Sequence, residues 1–185
     1  LSAQSPYSAS KISADQLALS YWNSFQLPIK IIRPFNIYGP RQSRRAVIPS
    51  IIVQALNNKD EIKLGNIEPT RDFTYVTDTC NAFLDILKIK KFFGDVLNVG
   101  SNNEYSIEDI AKKILVRLNS KASIKKETQR IRPTKSEVTR LVCDNSKILK
   151  NTQWKPRIKI EKGLDITIDW FRKFKDLFKH DIYQV

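Results

Sequence analysis

The chain has 185 residues, 41% of them hydrophobic and 28% charged, which is a composition typical of a globular protein with one sizeable core. Its single histidine, His180, argues against histidine-based zinc chemistry and against a Ser-His-Asp hydrolase. The net charge of +13 favours anionic partners. No helix-turn-helix, zinc-finger or RNA-recognition signature accompanies that charge, so we expect no nucleic acid as partner.

Cysteine usage and hydropathy predict a reducing, aqueous compartment. Cys80 and Cys143 lie far apart in different apolar contexts, which predicts two buried free thiols and no metal site. No apolar run approaches the ~18 residues that a membrane span requires, and no signal-peptide pattern opens the chain. We therefore expect a cytoplasmic protein without a membrane partner.

Helical and extended patterns alternate along the chain, which predicts an α/β fold. Helices are predicted at 5–25, 47–57, 77–87, 107–118, 145–149 and from 160 onward, and strands at 29–33, 62–65, 70–76, 95–100 and 123–125. The first helix is apolar over more than one stripe, which predicts an interior or subunit-interface position. The closing helix carries one core stripe, made of Leu164, Ile168, Phe171, Phe174 and Phe178.

Local signals predict two helix starts and one ordered loop. Ser106 and Asp109 match a capping box, and Thr77 or Asp78 is the predicted N-cap of the third helix. Two prolines and a glycine within 34–40 predict an irregular loop after the first strand. Ligands of open α/β sheets bind beyond the carboxyl ends of the strands, so this loop is a candidate site.

Tyr7 and Lys11 begin the first helix and lie four residues apart, which places them on one helix face. A free tyrosine titrates near pH ~10 and is a poor base at neutral pH. A neighbouring ammonium favours the phenolate and makes proton transfer near pH ~7 possible. Taken alone, such a pair is more often an ordinary surface pair, so other motifs must decide.

Six motifs follow one another along the chain. They are Ser5-Pro6-Tyr7-x-x-x-Lys11, Arg33-Pro34-Phe35-Asn36-x-Tyr38-Gly39-Pro40, Val47-Ile48-Pro49, Arg71-Asp72-Phe73-x-x-Val76-x-Asp78, Asn98-Val99-Gly100, and Arg132-Pro133 with Glu137. In this order they resemble the extended short-chain dehydrogenase/reductase family of NAD-dependent nucleotide-sugar epimerases and dehydratases. The segment 39–52 looks most like the 4,6-dehydratases of nonulosonic-acid pathways.

The resemblance implies a role for each matched residue. Tyr7 would exchange a proton with the sugar C4 hydroxyl as hydride passes to or from NAD, and Lys11 would hold the nicotinamide ribose. Pro34 and Phe35 would line the nicotinamide end of the cofactor. The implied contacts of the substrate, a UDP- or GDP-linked sugar, are Asn36, Val47, Ile48, Lys63, Leu64, Arg71, Arg132 and Glu137.

Among these contacts, the resemblance assigns the diphosphate to Asn36, Arg71 and Arg132, and a ribose hydroxyl to Glu137. Guanidinium groups recognise phosphate oxygens in a planar, bidentate way that lysine does not reproduce. A turn-forming asparagine and surface arginines are the plainer alternatives at these positions. Arg44 and Arg45 are interpreted as solvated loop residues.

The implied fold is a Rossmann-type doubly wound parallel sheet with a smaller α/β substrate-binding domain, of which this chain would be the C-terminal part. We expect residues 1–46 to belong to the dinucleotide-binding domain and 47–185 mainly to the substrate-binding domain, with 71–100 partly returning to the Rossmann sheet. The five glycines include no Gly-x-x-Gly-x-x-Gly spacing, and the Ser/Thr and acidic pair of the dehydratases are missing. The absence of methionine agrees with a partial chain, which we expect to be inactive by itself.

The reaction type stays open between several alternatives. A nucleotide-sugar 4,6-dehydratase is favoured, with a 4-epimerase or decarboxylase of the same family as the alternative. From other classes, the positive charge allows a basic nucleic-acid-binding module, and a catalytically dead assembly partner is a third alternative. The resemblance also implies a homodimer built on the helix that carries Tyr7.

Overall fold

The structure is a computed structural model and describes residues 3–57, 60–131 and 136–177. Its α-helices are α1 (Pro6–Phe25), α2 (Val47–Leu56), α3 (Val76–Lys88), α4 (Ile107–Arg117), α5 (Ser146–Asn151) and α6 (Ile160–Lys173). Its strands are β1 (Lys30–Pro34), β2 (Asn36–Tyr38), β3 (Glu61–Leu64), β4 (Thr70–Tyr75), β5 (Asp95–Val99), β6 (Glu104–Ser106), β7 (Ser123–Lys126) and β8 (Arg140–Leu141). The alternation predicted from the sequence is confirmed.

Parallel pairing dominates the sheets. β1 pairs with β5, and β3 pairs with β7, both in parallel. β4 is the central strand of a further sheet, where it lies parallel to β2 and β8 and antiparallel to β6. Parallel strands joined by helices define the α/β class, so the predicted fold class is confirmed.

Two hydrophobic clusters hold these layers together. The smaller one packs α3 and α5 against the β1–β5 sheet and consists of Ala82, Ile86, Leu97, Val99, Ile148 and Trp154. The larger one is formed by α2, α4 and α6 around β2, β3 and β4, and its fully covered side chains include Ile51, Ile52, Ile62, Ile110, Ile114, Leu164 and Phe171. The site described below lies along one side of this larger cluster.

Besides the two-residue β8, two short strands were not predicted from the sequence. The segment 34–40, predicted as an irregular loop, contains β2, because residues 36–38 pair with Phe73–Tyr75 of β4. β6 forms in the same way, opposite residues 70–72 of the same strand. Each of these strands has only three residues. Their pairing depends on a segment more than thirty residues away, which no local pattern reveals.

The two predicted caps have different outcomes. Ser106 accepts a hydrogen bond from the backbone N–H of Asp109, whose carboxylate accepts one from the N–H of Ser106, both at 3.0 Å, so the capping box is confirmed. The prediction of Thr77 or Asp78 as N-cap is wrong, since Tyr75 occupies that position. Asp78 is instead buried, and its carboxylate accepts the backbone N–H groups of Arg157 and Ile158, each at 2.9 Å.

Two burial predictions also need correction. Within the described residues, no side chain of the twenty-residue helix α1 is buried, so the interior position is wrong and the alternative, a subunit interface, stays a prediction. Cys143 is buried as predicted, but Cys80 is exposed. α3 buries Asp78, Ala82 and Ile86 at a spacing of four, which turns the face that carries Cys80 outward. The predicted core position Phe178 lies outside the described residues.

Candidate functional site

A cavity of about 710 Å³ lies between the start of α2, the end of β3 and the first half of β4. Its walls contain seven of the residues that the sequence proposed for substrate contact, namely Asn36, Val47, Ile48, Lys63, Leu64, Arg71 and Glu137. Five separate stretches of chain supply these seven residues. The eighth predicted contact, Arg132, lies outside the described residues. The fold therefore brings motifs that are dispersed along the sequence to one concave surface.

Arg71 is a cation of this cavity that is anchored by at least two contacts. It stands on β4, its Nη1 donates to the carbonyl of Thr70 at 2.8 Å, and its Nη2 contacts Oε1 of Glu137 at 3.1 Å. The Arg71 side chain is 13% exposed and that of Glu137 14%. Both charges are thus largely withdrawn from water, and each partly compensates the other.

Asp72 fixes the strand on which Arg71 stands. Its buried carboxylate accepts hydrogen bonds from the backbone N–H groups of Ser101 (2.9 Å), Asn102 (2.8 Å) and Cys143 (3.2 Å), and from the Ser101 hydroxyl (2.6 Å). Four charge-assisted bonds to one carboxylate join three distant segments. Burial, followed by the negative charge of Asp72, raises the pKa of the Cys143 thiol to about 12, so this cysteine is a structural side chain.

A second charged group lies at the opposite end of the cavity. Glu127 contacts both Lys63, at 3.4 Å, and Arg130, and all three residues line the cavity. The hydrogen bond from Arg130 is the main reason why the pKa of Glu127 is lowered from its usual range. Gly65 makes the close approach of this segment possible, since a Cβ there would lie 2.3 Å from the carbonyl oxygen of Arg130.

Several cavity residues were missed or misinterpreted at the level of sequence. Arg44 and Arg45, interpreted as solvated loop residues, line the cavity, as does Arg130. Gln54 was not singled out, yet it holds β3 in place, because its side chain accepts from the Lys63 N–H at 2.8 Å and donates to the Lys63 carbonyl at 3.2 Å. A basic or amide residue in a polar stretch carries no local signal of such a position.

Not every predicted contact can use its side chain. Ile48 is 1% exposed and Leu64 is 4% exposed, because both belong to the larger hydrophobic cluster. This leaves their backbone for contact with a ligand. Asn36 lies at the end of the cavity nearest β1, where its side-chain amide donates to the carbonyl of Asp72 at 3.4 Å.

Tyr7 and Lys11 lie on the solvent-facing side of α1, outside the cavity wall. The ammonium of Lys11 is 5.5 Å from the centroid of the Tyr7 ring, so the two side chains share one helix face as the spacing predicts. Tyr7 is 72% exposed. The helix begins with Pro6 directly after Ser5, whose hydroxyl accepts the N–H of Ser8.

Pro34 and Phe35 also lie outside the cavity wall, at the carboxyl end of β1. The N–H of Phe35 donates to the carbonyl of Val99 at 2.8 Å, which extends the pairing of β1 and β5 up to Asn36. Phe35 is therefore one residue from the cavity. This end of a parallel sheet is where ligands of α/β proteins bind.

The described residues contain neither a candidate metal site nor a candidate membrane-spanning helix. Among the residues that the structure describes, no group of three or more His, Cys, Asp and Glu side chains could hold a metal ion. Over the same residues, no helix combines the length and the apolar character that crossing a membrane requires.

The chain belongs to the GDP-mannose 4,6-dehydratase family, whose model matches residues 1–167. This places it among the extended short-chain dehydrogenases/reductases, as the ordered motifs predict. It is 32% identical to the dTDP-D-glucose 4,6-dehydratase of Homo sapiens over 171 residues, which cover 91% of this chain and 48% of that protein. It is 34% identical to a UDP-N-acetyl-alpha-D-glucosaminuronate decarboxylase of Bacillus cytotoxicus over 176 residues, or 92% of this chain and 54% of that one.

A solved structure gives the same result for the fold. The dTDP-glucose 4,6-dehydratase of Bacillus anthracis, crystallised in complex with NAD, superimposes with a TM-score of 0.86 at 32% identity. The match covers 95% of this chain and 55% of that one. The chain thus spans about half the length of the relatives that it matches.

Proposed function

We propose that this chain forms the substrate-binding part, and carries the proton-transfer pair, of an NAD-dependent nucleotide-sugar 4,6-dehydratase. The observation that carries the proposal is the cavity in which Arg71 and six further predicted contacts meet. Membership of a dehydratase family supports it, as do the named activities of the human and Bacillus anthracis relatives.

The charge and size of the cavity suit a nucleotide-diphosphate sugar. A volume of about 710 Å³ lies within the range of roughly 300–1,000 Å³ that is typical of small-molecule sites. Its cationic lining suits two linked phosphates, since guanidinium and ammonium groups bind phosphate oxygens through charge-assisted hydrogen bonds. That lining consists of Arg44, Arg45, Lys63, Arg71 and Arg130. A UDP- or GDP-linked sugar is the proposed substrate, with Glu137 near the ribose.

The exposed pair on α1 fits the nicotinamide end of NAD. Tyr7 and Lys11 present a phenol and an ammonium on one accessible face, and Phe35 lies at the carboxyl end of β1. When bound, NAD supplies the acceptor and donor of the hydride that oxidises and reduces the sugar. The Tyr7 oxygen would take the proton of the C4 hydroxyl, and the Lys11 ammonium would favour the phenolate and bind the nicotinamide ribose.

A decarboxylase or 4-epimerase of the same family is the second candidate. The specific observation in its favour is the 34% identity to the Bacillus cytotoxicus decarboxylase. Both candidates begin with the same oxidation at C4, so Tyr7 and Lys11 would have the same roles. The nature of the product separates them.

A homodimer is part of the proposal. Besides Tyr7, α1 exposes three large apolar or aromatic side chains, Leu17 (61%), Tyr21 (46%) and Phe25 (69%), and a second copy of the helix would cover them. The division near residue 46, the nonulosonic-acid pathway and the cytoplasmic location stay predictions.

The test is an assay of the full-length protein with NAD and five substrates, UDP-N-acetylglucosamine, UDP-glucose, GDP-mannose, dTDP-glucose and UDP-glucuronic acid. Mass spectrometry should show a product that has lost one water, with a 4-keto-6-deoxy sugar. Loss of carbon dioxide from a UDP-uronic acid would identify a decarboxylase, and a C4-inverted product of equal mass an epimerase. No conversion of any of these substrates would contradict the proposal.

A further inference from the structure

Arg71 and Glu137 form an ion pair in the wall of the cavity. The Glu137 carboxylate therefore already contacts a cation that an anionic ligand would use. Both residues line the cavity, and their side chains are only 13% and 14% exposed. In this pair, Nη2 of Arg71 contacts Oε1 of Glu137 at 3.1 Å. The guanidinium thus carries a compensating negative charge before any ligand arrives.

The Arg71 guanidinium is also held by its own strand, β4. Nη1 is held by the Thr70 carbonyl, and the next residue along β4, Asp72, is fixed by four hydrogen bonds. Glu137 contacts Arg71 across 66 positions of sequence. A phosphate that reaches Nη2 must therefore share it with the Glu137 carboxylate or displace that carboxylate.

A phosphate at Nη2 of Arg71 and the Glu137 carboxylate are both negatively charged and repel each other, most strongly where water is largely excluded. We propose that Glu137 is the counter-ion that a ligand has to displace from Arg71, so that it selects for diphosphates against anions of lower charge. A diphosphate brings enough negative charge to replace the carboxylate and to engage the other cavity cations, whereas a single phosphate does not. The proposal rests on the proposed function only in taking a diphosphate as the ligand.

Calorimetry with inorganic pyrophosphate and inorganic phosphate tests this role on the full-length protein. Pyrophosphate contains no ribose, so a contact between Glu137 and a ribose hydroxyl cannot influence the result. Glu137→Gln should bind pyrophosphate at least roughly fivefold more tightly than the wild type, because fivefold corresponds to a solvent-exposed ion pair and this pair is largely withdrawn from water. It should also bind phosphate more tightly and lose part of its preference for pyrophosphate.

The matched control is Glu104→Gln, which removes a carboxylate that contacts Arg140 at 2.8 Å away from the cavity. It should bind both anions like the wild type. Glu137→Asp keeps the charge but shortens its reach, so it should tighten pyrophosphate binding by a smaller factor, and it decides the question if Glu137→Gln fails to fold.

Unchanged or weaker pyrophosphate binding by a folded Glu137 variant overturns the proposal, as does the absence of pyrophosphate binding in all variants. The product assay is independent of this measurement. Tighter pyrophosphate binding by Glu137→Gln without any 4-keto-6-deoxy product would support the role of Glu137 and contradict the proposed function. Formation of that product with unchanged pyrophosphate binding would support the proposed function and contradict the role of Glu137.

Discussion

Arg33 donates from Nε to a carboxylate oxygen of Asp15 at 2.7 Å, and its Nη2 lies 2.7 Å from the same oxygen. This contact ties α1, which has no buried side chain among the described residues, to the end of β1. Arg33 directly precedes Pro34 and Phe35, so the ion pair sets the position of the helix that carries Tyr7 and Lys11 relative to the strand end beside the cavity. Its strength decides how firmly the two parts of the site are held together.

Asp15→Asn should therefore lower the free energy of unfolding by about 1 kcal/mol, the size expected for a partly buried charge-assisted contact. Urea denaturation measures this. The control is Asp169→Asn, whose partner Arg172 lies one helical turn away at 3.3 Å on an exposed surface. The control should change stability by less than about 0.5 kcal/mol. Equal effects of both variants would contradict a special role for the pair.

Tyr7→Phe removes the phenol oxygen and keeps the ring. If the proposed function is correct, kcat of the full-length enzyme should fall by at least about a hundredfold, because positioned proton transfer contributes that much. Binding of UDP, measured by calorimetry, should not change, since Tyr7 lies outside the cavity wall. Tyr21→Phe, on the same helix, is the control. More than a tenth of the activity left in Tyr7→Phe would exclude the assigned role.

Gly163→Ala should destabilise the protein although it replaces glycine within a helix. Alanine normally gains up to about 1 kcal/mol there, but a Cβ at Gly163 would lie 2.0 Å from the hydroxyl oxygen of Tyr38. We expect a net loss of about 2 kcal/mol from this overpacking. Tyr38→Phe in the same background should recover part of the loss. Thermal unfolding measures both. A stabilised Gly163→Ala would show that Tyr38 can move aside without loss of packing.

Alkylation should distinguish the two cysteines. At pH ~8 the exposed Cys80 should react with iodoacetamide in the native protein, while Cys143 should react only after unfolding, because burial raises its pKa and leaves almost no thiolate. Peptide mapping by mass spectrometry identifies the labelled site. Cys80→Ser should abolish native labelling. Equal reaction of both thiols in the native protein would contradict the burial of Cys143.

Ser106→Ala removes the hydroxyl of the capping box and should lower the free energy of unfolding by about 1 kcal/mol at neutral pH. The hydrogen bond from the Ser106 hydroxyl is the main cause that lowers the pKa of Asp109. A carboxyl with a lowered pKa stabilises the fold above its unfolded-state pKa and loses that contribution as pH falls through its folded-state pKa. The difference in the free energy of unfolding between wild type and Ser106→Ala should therefore become smaller as pH falls through the folded-state pKa of Asp109. Ser13→Ala, on exposed α1, is the control and should show no such pH dependence.

Sequence reasoning succeeded where the signal is local. The period of apolar residues gave every α-helix to within two residues at its start, and the Ser106 capping box was recognised from four residues of sequence. It failed at β2 and at Asp78, because the partners of these residues lie far along the chain. The resemblance predicted seven of the residues that line the cavity. Arg44, Arg45 and Arg130 were missed, since nothing local separates them from the other basic residues.

The pairing of β1 with β5 governs when the protein can fold during its synthesis. β1 leaves the ribosome before its partner β5, which follows only after β2, α2, β3, β4 and α3. At about 5–20 residues per second, this interval lasts several seconds. Throughout it the edge of β1 that β5 later covers stays unpaired, and an unpaired strand edge is open to aggregation. A nascent chain of this kind is a natural client for chaperones that bind extended apolar segments.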